Sequence, residues 1–471
     1  MLTRTIVPNE GWFADPAFHL ATRGFLGTTI LDATGTWLEG IDQHTYWIEP
    51  LYPVTQAAVY RAFGFTLVTT RATSVVWGAL ALFAFFVLMR REAGVRTALL
   101  ACLLLATDFH FIVGGAVGRM DMMCAGLGFS ALAVYVTLRE RSFRAAVVTS
   151  QTLAAAACLT HPCGALYAAA LILLAVRHDR HSWTWRITAL AVAPYVAGFA
   201  AYGLYIMQDP QSFWRQMAGN VSGVAGEASG MTRFGGLKQP VTALRREVLD
   251  RYLSTFMGGS WSDPYRPQLL VLLLYFGGAI VACIDRNIRR QRAARFLLPL
   301  TGLFWVILWL FEGLKLRAYV VHTLPLFAGL AALWICNWTR DKSFARTAVV
   351  GGFLAVQALG IGYGFWANQY HNDFFGVVRY INQHGSSDSR ILASGEFGFA
   401  YGFDGRVKDD VTLGFYTGKR PAFYVAGPYY EDWIKRAETR DPKVFSYVRR
   451  VLTQQYRPVY ANPEYTIYQL Q

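Results

Sequence analysis

The sequence predicts a polytopic α-helical membrane protein that ends in a small α/β domain. Three observations carry that prediction. The 471 residues are 54% hydrophobic and only 16% charged, with a mean hydropathy of +0.28, whereas soluble proteins carry about 25% charged residues. Ten apolar segments follow one another, at 72–89, 97–114, 120–138, 145–160, 163–176, 187–206, 268–284, 296–311, 318–336 and 347–366. They approach the length of about 20 residues that crosses a bilayer. Finally, the basic residues of the short connections alternate. One set is Arg90/Arg91/Arg96, Arg139/Arg141/Arg144, Arg177/Arg180/Arg186, Arg286/Arg289/Arg290/Arg292/Arg295 and Arg340/Lys342/Arg346. The other holds Arg119, Lys315 and Arg317, a ratio of 17 to 3.

Cytoplasmic loops collect Arg and Lys, so the first set is read as cytoplasmic. Residues 1–70, the long loop 207–267 and the tail 368–471 then lie on the extracytoplasmic side. The expected domains are an outer segment 1–70, a transmembrane domain 71–367 and a soluble tail 368–471. The same bias explains much of the net charge of +14 and removes the reason to invoke nucleic acid.

Residues 1–70 contain no apolar run long enough to span. Residues 17–26 and 54–63 read as short amphipathic helices. Before them, Pro-Asn-Glu-Gly-Trp-Phe-Ala-Asp-Pro at 8–16 reads as a loop carrying Glu10 and Asp15. A second polar stretch holds Asp32, Glu39, Asp42, His44 and Glu49. In the tail, 373–384 and 441–456 read as helices. The segments 390–395, 422–427 and 465–470 read as strands, two of them closed by Gly.

The six cysteines, Cys102, Cys124, Cys158, Cys163, Cys283 and Cys336, all lie in apolar stretches or at their ends. The polar segments therefore carry no disulfide framework. Cys158, His161 and Cys163 are close in sequence, but no fourth ligand stands near them and no metal is assigned.

Ionisable groups within or at the ends of spans are costly and commonly functional. Asp121 in Gly118-Arg-Met-Asp121, His161 in His161-Pro-Cys-Gly164, and Lys315 and Arg317 followed by Tyr319 are such groups. Each also has a plainer reading as a helix-end anchor or turn residue. All fall on the same side as Glu10. Together they give one face with carboxylates (Glu10, Asp15, Asp121) and cations (Arg71, Arg119, Lys315, Arg317). Cations at that depth suit a lipid-linked phosphate, and a carboxylate suits deprotonation of an attacking hydroxyl. No nucleotide-binding motif stands in a supporting context, and no cofactor is expected.

The order of these pieces resembles a known family. It runs from the acidic stretch to Glu49-Pro-Leu-Tyr-Pro53, Arg71-Ala-Thr-Ser74, Gly118-Arg-Met-Asp121 and Leu159-Thr-His-Pro162. A long outer loop, Lys315 with Tyr319, and a soluble tail follow. This is similar to the GT-C glycosyltransferases of the protein O-mannosyltransferase and lipid A aminoarabinose transferase type. The resemblance covers essentially the whole chain and rests on order and sidedness. It implies an inverting transfer of a sugar from a polyprenyl-phosphate donor to an acceptor, protein, lipid or glycan, on the outer face of the plasma membrane. Glu10, with Asp15 and Asp121 behind it, is then the expected base. Lys315, assisted by Arg119 or Arg71, is expected on the donor phosphate, with His161 and Tyr319 beside it. The family usually has an Asp-Glu pair where this chain has Asn9-Glu10, and a transmembrane helix before that pair. That helix is expected upstream of Met1. The competing reading is a transporter or flippase for a lipid-linked glycan, which also needs cations at membrane depth. Against it, the chain shows no paired halves.

Overall fold

The computed structural model describes residues 4–222, 232–257, 266–338 and 343–471. Arg340 and Lys342 of the last basic connection lie outside these residues, as do 223–231 and 258–265 of the outer loop. All ten apolar segments are helical. Among the described residues, six stretches are long and apolar enough to cross a bilayer: Leu67–Ala93, Asp121–Leu138, Trp185–Ile206, Arg292–Phe311, Arg317–Trp338 and Phe344–His384. A seventh arises if Val95–Ala106 and Phe109–Gly115, bent by 66°, count as one span. Gly164–His178 and Gln268–Ile284 are apolar but shorter, so length and composition support six or seven spans rather than the expected ten. The sharp bend has a local cause. Asp108 caps Phe109–Gly115 by accepting the Phe111 N–H at 2.9 Å, and its other oxygen accepts the Tyr275 hydroxyl at 3.0 Å.

The helices share one large apolar core that includes Phe85, Phe129, Leu171, Leu297 and Leu330. Outward-facing Leu190, Val192, Val196, Phe199 and Leu204 on Trp185–Ile206 remain exposed. That arrangement fits lipid contact along the bundle.

One expectation needs correction. The Pro8–Pro16 stretch is not a loop: it opens the helix Pro8–Thr22. Pro8 sits at the first turn, where its missing N–H costs nothing. Glu10 reaches back to accept the Val7 N–H at 3.0 Å, closing the N-terminus. The helix expected at 54–63 is Leu51–Phe63.

The tail forms a five-stranded sheet, with β1 Ile391–Leu392, β2 Val407–Lys408, β3 Phe423–Ala426, β4 Tyr456–Ala461 and β5 Thr466–Leu470. The order is β2-β1-β3-β5-β4, parallel on the β1 side and antiparallel on the β5 side. β1, β3 and β5 stand at the expected strands. β2 was missed because it is only two residues long. β4 was missed because its start was read as the end of the helix Pro442–Gln455. The tail and the N-terminal segment share a core: Ile6, Ala14 and Ile30 pack with Phe374, Val377, Phe397, Val425 and Ile467. Gly11 and Gly395 come close together, since a Cβ on Gly11 would stand 2.0 Å from the Gly395 carbonyl oxygen.

Candidate functional site

The N-terminal helix, the outer ends of the bundle helices, the outer loop and the tail enclose a cavity of about 1210 Å³. That is larger than a typical small-molecule pocket. Asn9, Trp12, Trp47 and Glu49 line it from the N-terminal segment, and Arg119 and His161 from helix ends. Arg233, Arg246, Asp250, Lys315, Arg317 and Tyr319 come from the outer loops, and Asp409, Asp410, Tyr429, Trp433, Arg436 and Arg440 from the tail. Arg119, His161, Lys315 and Tyr319 are thus brought to one cavity wall. Glu10, Asp15, Arg71 and Asp121 are not among its lining residues.

Glu10 is clamped. Its Oε1 accepts Arg71 Nε at 2.8 Å and the Gly118 N–H at 2.7 Å, and its Oε2 accepts Arg71 Nη2 at 2.7 Å and the Val7 N–H at 3.0 Å. Both side chains are fully buried. Gly118 permits this approach, since a Cβ there would meet Thr70 Cγ2 at 2.5 Å. A carboxylate with four donors and no cavity surface is poorly placed to take a proton from an acceptor. Glu10, expected as the base, is thus held away from the cavity surface, and Arg71, expected on the donor phosphate, is the partner that holds it. Asp15, expected behind Glu10, is likewise away from the cavity surface: fully buried, it lies 3.1 Å from His19 Nε2 and accepts the Ile30 N–H at 2.6 Å. Burial raises its carboxyl above the ordinary value, with His19 pulling it back. Asp121 pairs through Oδ2 with Arg119 Nε at 2.9 Å, while its Oδ1 is buried without a hydrogen-bond partner.

Lys315 lines the cavity, but its ammonium is engaged. Nζ lies 2.9 Å from Glu247 Oε2 and donates to the carbonyls of Leu308 at 3.0 Å and Trp309 at 2.8 Å. Glu247 also pairs with Arg251 at 2.7 Å, and Arg251 in turn with Glu312. Two hydrogen bonds and an ion pair thus engage the ammonium that was expected on the phosphate, and they tie this loop together. Arg317 is different. One arm of its guanidinium donates to Ser254 Oγ, and its buried Nη1 has no partner. Among the described residues the Arg233 side chain bonds the neutral Asn220, through its carbonyl at 3.2 Å and Oδ1 at 2.6 Å. Arg317 and Arg233 therefore line the cavity with no carboxylate hydrogen-bonded to them among the described residues, Asp250 and Glu49 being their acidic neighbours in electrostatic terms.

Among the cavity carboxylates, Asp32 is held by Lys419 at 2.8 Å, Asp250 by Arg246 at 2.8 Å, and Asp410 by the N–H groups of Thr412 and Gly414, both at 2.8 Å. Asp409 accepts Trp12 Nε1 at 2.8 Å and the Tyr430 hydroxyl at 2.9 Å. Burial pushes its carboxyl up to about 7 against these bonds.

Cys124, His161 and His322 each bring a possible ligand atom within 4.8 Å of the other two. However, His161 Nδ1 accepts the Cys163 N–H at 3.1 Å. That places the proton on Nε2, the wrong tautomer for a ligand offered through Nε2.

Sequence reasoning did not assign the site roles of Asn9, Glu49, Arg233 and Asp409. For Glu49 the signal was present: an acid directly before Pro50, in a motif already singled out by its place in the chain. Arg233 and Asp409 carried no signal, because only the fold brings their segments to the cavity.

No family model and no curated protein matches the chain by sequence. Solved structures do match by fold. ArnT from Cupriavidus metallidurans bound to undecaprenyl phosphate matches with a TM-score of 0.61 at 17% identity, over 99% of this chain and 94% of that one. The oligosaccharyltransferase of Archaeoglobus fulgidus in the apo form matches with a TM-score of 0.54 at 10% identity, over 94% and 67%. AglB from the same organism, in complex with an inhibitory peptide and a dolichol-phosphate, gives 0.51 at 11% identity, over 99% and 71%. The chain therefore has the fold of the GT-C transferases, along almost its entire length.

Proposed function

We propose that this protein is a membrane glycosyltransferase that moves a sugar from a polyprenyl-phosphate donor to an acceptor, within the cavity and on the extracytoplasmic face. The observation that carries the reading is the cavity lined by Arg317, at the outer end of an apolar helix, and Arg233, from the outer loop, two guanidinium groups with no carboxylate hydrogen-bonded to them among the described residues. A buried guanidinium arm without a partner is costly, and a phosphate monoanion or diester oxygen satisfies it bidentately. The donor phosphate is assigned to this pair, with Arg119 beside it. The fold shared with a structure holding undecaprenyl phosphate supports the same class of lipid. In the reaction, an acceptor oxygen or nitrogen attacks the anomeric carbon, the bond from that carbon to the phosphate oxygen breaks, and the phosphate leaves with the electron pair. The guanidinium groups stabilise the charge that develops there.

The test is binding and transfer by the purified protein in nanodiscs. Undecaprenyl phosphate should bind and quench the cavity tryptophans Trp12, Trp47 and Trp433. A panel of undecaprenyl-phosphate-linked radiolabelled monosaccharides should yield labelled acceptor and free undecaprenyl phosphate from at least one member. Movement of labelled lipid between leaflets with no cleavage from any member would favour the flippase reading instead.

A further inference from the structure

We infer that Glu49 is the proton acceptor of the transfer, positioned over the cavity by the outer-loop helix Pro210–Ser222 and assisted by the Asn9 amide. The assignment rests on the functional reading above and on three independent observations.

The first is by elimination. Of the carboxylates lining the cavity, Asp32, Asp250, Asp409 and Asp410 are tied to the donors given above, and Asp441 caps Pro442–Gln455 through the Val444 N–H at 3.2 Å. Glu49 has no side-chain donor among the described residues. It is half-buried and lines the cavity.

The second is rigidity. A base must be held within reach of the proton it removes. Gln216 is fully buried and its Oε1 accepts the N–H groups of Tyr46 at 2.7 Å and Trp47 at 3.1 Å, while its Nε2 donates to the His44 carbonyl at 2.8 Å. Three bonds from one side chain fix the segment leading to Glu49. Beyond it, Pro50 restricts Glu49 to extended backbone, and the Leu51 N–H donates to the Leu159 carbonyl at 3.0 Å.

The third is Asn9. It lines the same cavity, and its Oδ1 is buried with no partner. An orphaned buried amide oxygen calls for a donor, which the attacking hydroxyl or amine of an acceptor supplies. Asn cannot take the proton, so the carboxylate must come from elsewhere on the wall. In the step, the nucleophile's proton passes to a Glu49 oxygen as the new glycosidic bond forms, and the phosphate departs as the anion.

Burial pushes the Glu49 carboxyl up to about 7, with Arg233 pulling it back, which suits a group that takes a proton near neutral pH. Arg233 is the charged neighbour felt by Glu49. The other titratable side chains in electrostatic reach are Tyr202, Cys158 and Cys124.

The experiment uses the full chain in nanodiscs. Undecaprenyl phosphate affinity and transfer from the active member of the donor panel are measured for wild type, Glu49→Gln, Glu49→Asp and Gln216→Ala. Loss of a general base lowers the rate about 10²–10⁴-fold. Glu49→Gln should therefore fall by that factor with lipid affinity changed less than about twofold, and Glu49→Asp should recover part of the rate. In wild type the rate should rise with pH through about 7, and the residual Glu49→Gln rate should lack that rise. Gln216→Ala should lower the rate while keeping the pH profile, as expected of a positioning residue. Glu49→Gln retaining more than about a tenth of the rate overturns the assignment. So does a folded Glu49→Gln that loses lipid binding. A wild type that binds no undecaprenyl phosphate overturns the functional reading itself, and the assignment falls with it.

Discussion

The Glu10 clamp yields a prediction that separates a structural carboxylate from a catalytic one. In Glu10→Gln the side chain keeps its shape, and one oxygen can still accept from Arg71 Nε and the Gly118 N–H. The new NH₂ group, however, faces two donors, Arg71 Nη2 and the Val7 N–H, which now stand at 2.7 and 3.0 Å from another donor. Arg71 stays fully buried and loses its counter-charge, although it keeps the carbonyls of Arg4 at 2.8 Å and Thr5 at 3.3 Å. Breaking a buried pair from one side costs about 3–5 kcal/mol, and the remaining carbonyl bonds place this case near the lower end. The expected result is a fall in thermal unfolding temperature of several degrees, read by intrinsic fluorescence or by the monodisperse fraction after heating in detergent. Whatever protein remains folded should transfer sugar at a near-normal rate. Arg71→Gln should be similarly unstable, and Glu10→Gln/Arg71→Gln less unstable than the two single effects added, because each removes the other's unpaired charge. A Glu10→Gln protein with wild-type unfolding temperature, normal lipid binding and no turnover would refute the clamp argument and restore Glu10 as the base.

Arg317→Ala should weaken undecaprenyl phosphate binding roughly 10- to 100-fold at unchanged fold, the equivalent of about 1.5–3 kcal/mol for a charge-assisted bond; equal affinity would remove Arg317 from the phosphate site. Lys315→Ala should act on stability instead, by leaving Glu247 beside Arg251 with one cation fewer, and a large affinity loss without destabilisation would reverse the two roles. Asp409 has a folded-state value raised to about 7 against an ordinary value near 3.9, so the folded chain holds the proton more tightly. Its contribution is present at low pH and lost as pH rises from about 4 to about 7. The fall in unfolding temperature between pH 5 and pH 8 should therefore be smaller in Asp409→Asn than in wild type, and an identical fall would contradict this. Protease added to intact spheroplasts should remove residues beyond about 368, and protection until lysis would reverse the proposed sidedness.

The architecture was legible because apolar periodicity and the basic-residue alternation are properties of the chain itself. The segments 72–89 and 120–138 needed no tertiary information to be read as helices. The site was legible only in part. Arg119, His161, Lys315 and Tyr319 were placed on one wall by counting helix ends. The availability of a charge depends on its partner, and partners come from distant segments. Lys315 looks like a free cation until Glu247 is seen 2.9 Å away, and Glu10 looks like a free acid until Arg71 closes on it. Conversely, Glu49 stood in a motif the sequence singled out, but its lack of a side-chain donor among the described residues is a property that only the fold displays. The first loop failed as a loop for a local reason: Pro8 and Glu10 form an N-terminal helix signature that Gly11 and Pro16 obscured.

The N-terminal helix then accounts for how the tail and the bundle come to share one cavity. Successive residues of a helix point about 100° apart, so a single turn can address three directions. Asn9 faces the cavity, Glu10 the bundle through Arg71 and Gly118, and Trp12 the tail through Asp409. Gly11 lets Gly395 of the tail approach to within contact of the same turn. A rigid helical turn transmits displacement rather than absorbing it, so a shift of the tail is felt at Asn9 through its chain neighbours. The bundle side is fixed by four hydrogen bonds to one buried carboxylate. The tail side is fixed by the shared apolar core, the backbone bonds between Ile30, Asp32 and Asp409, and the bond from Trp12 Nε1 to the Asp409 carboxylate.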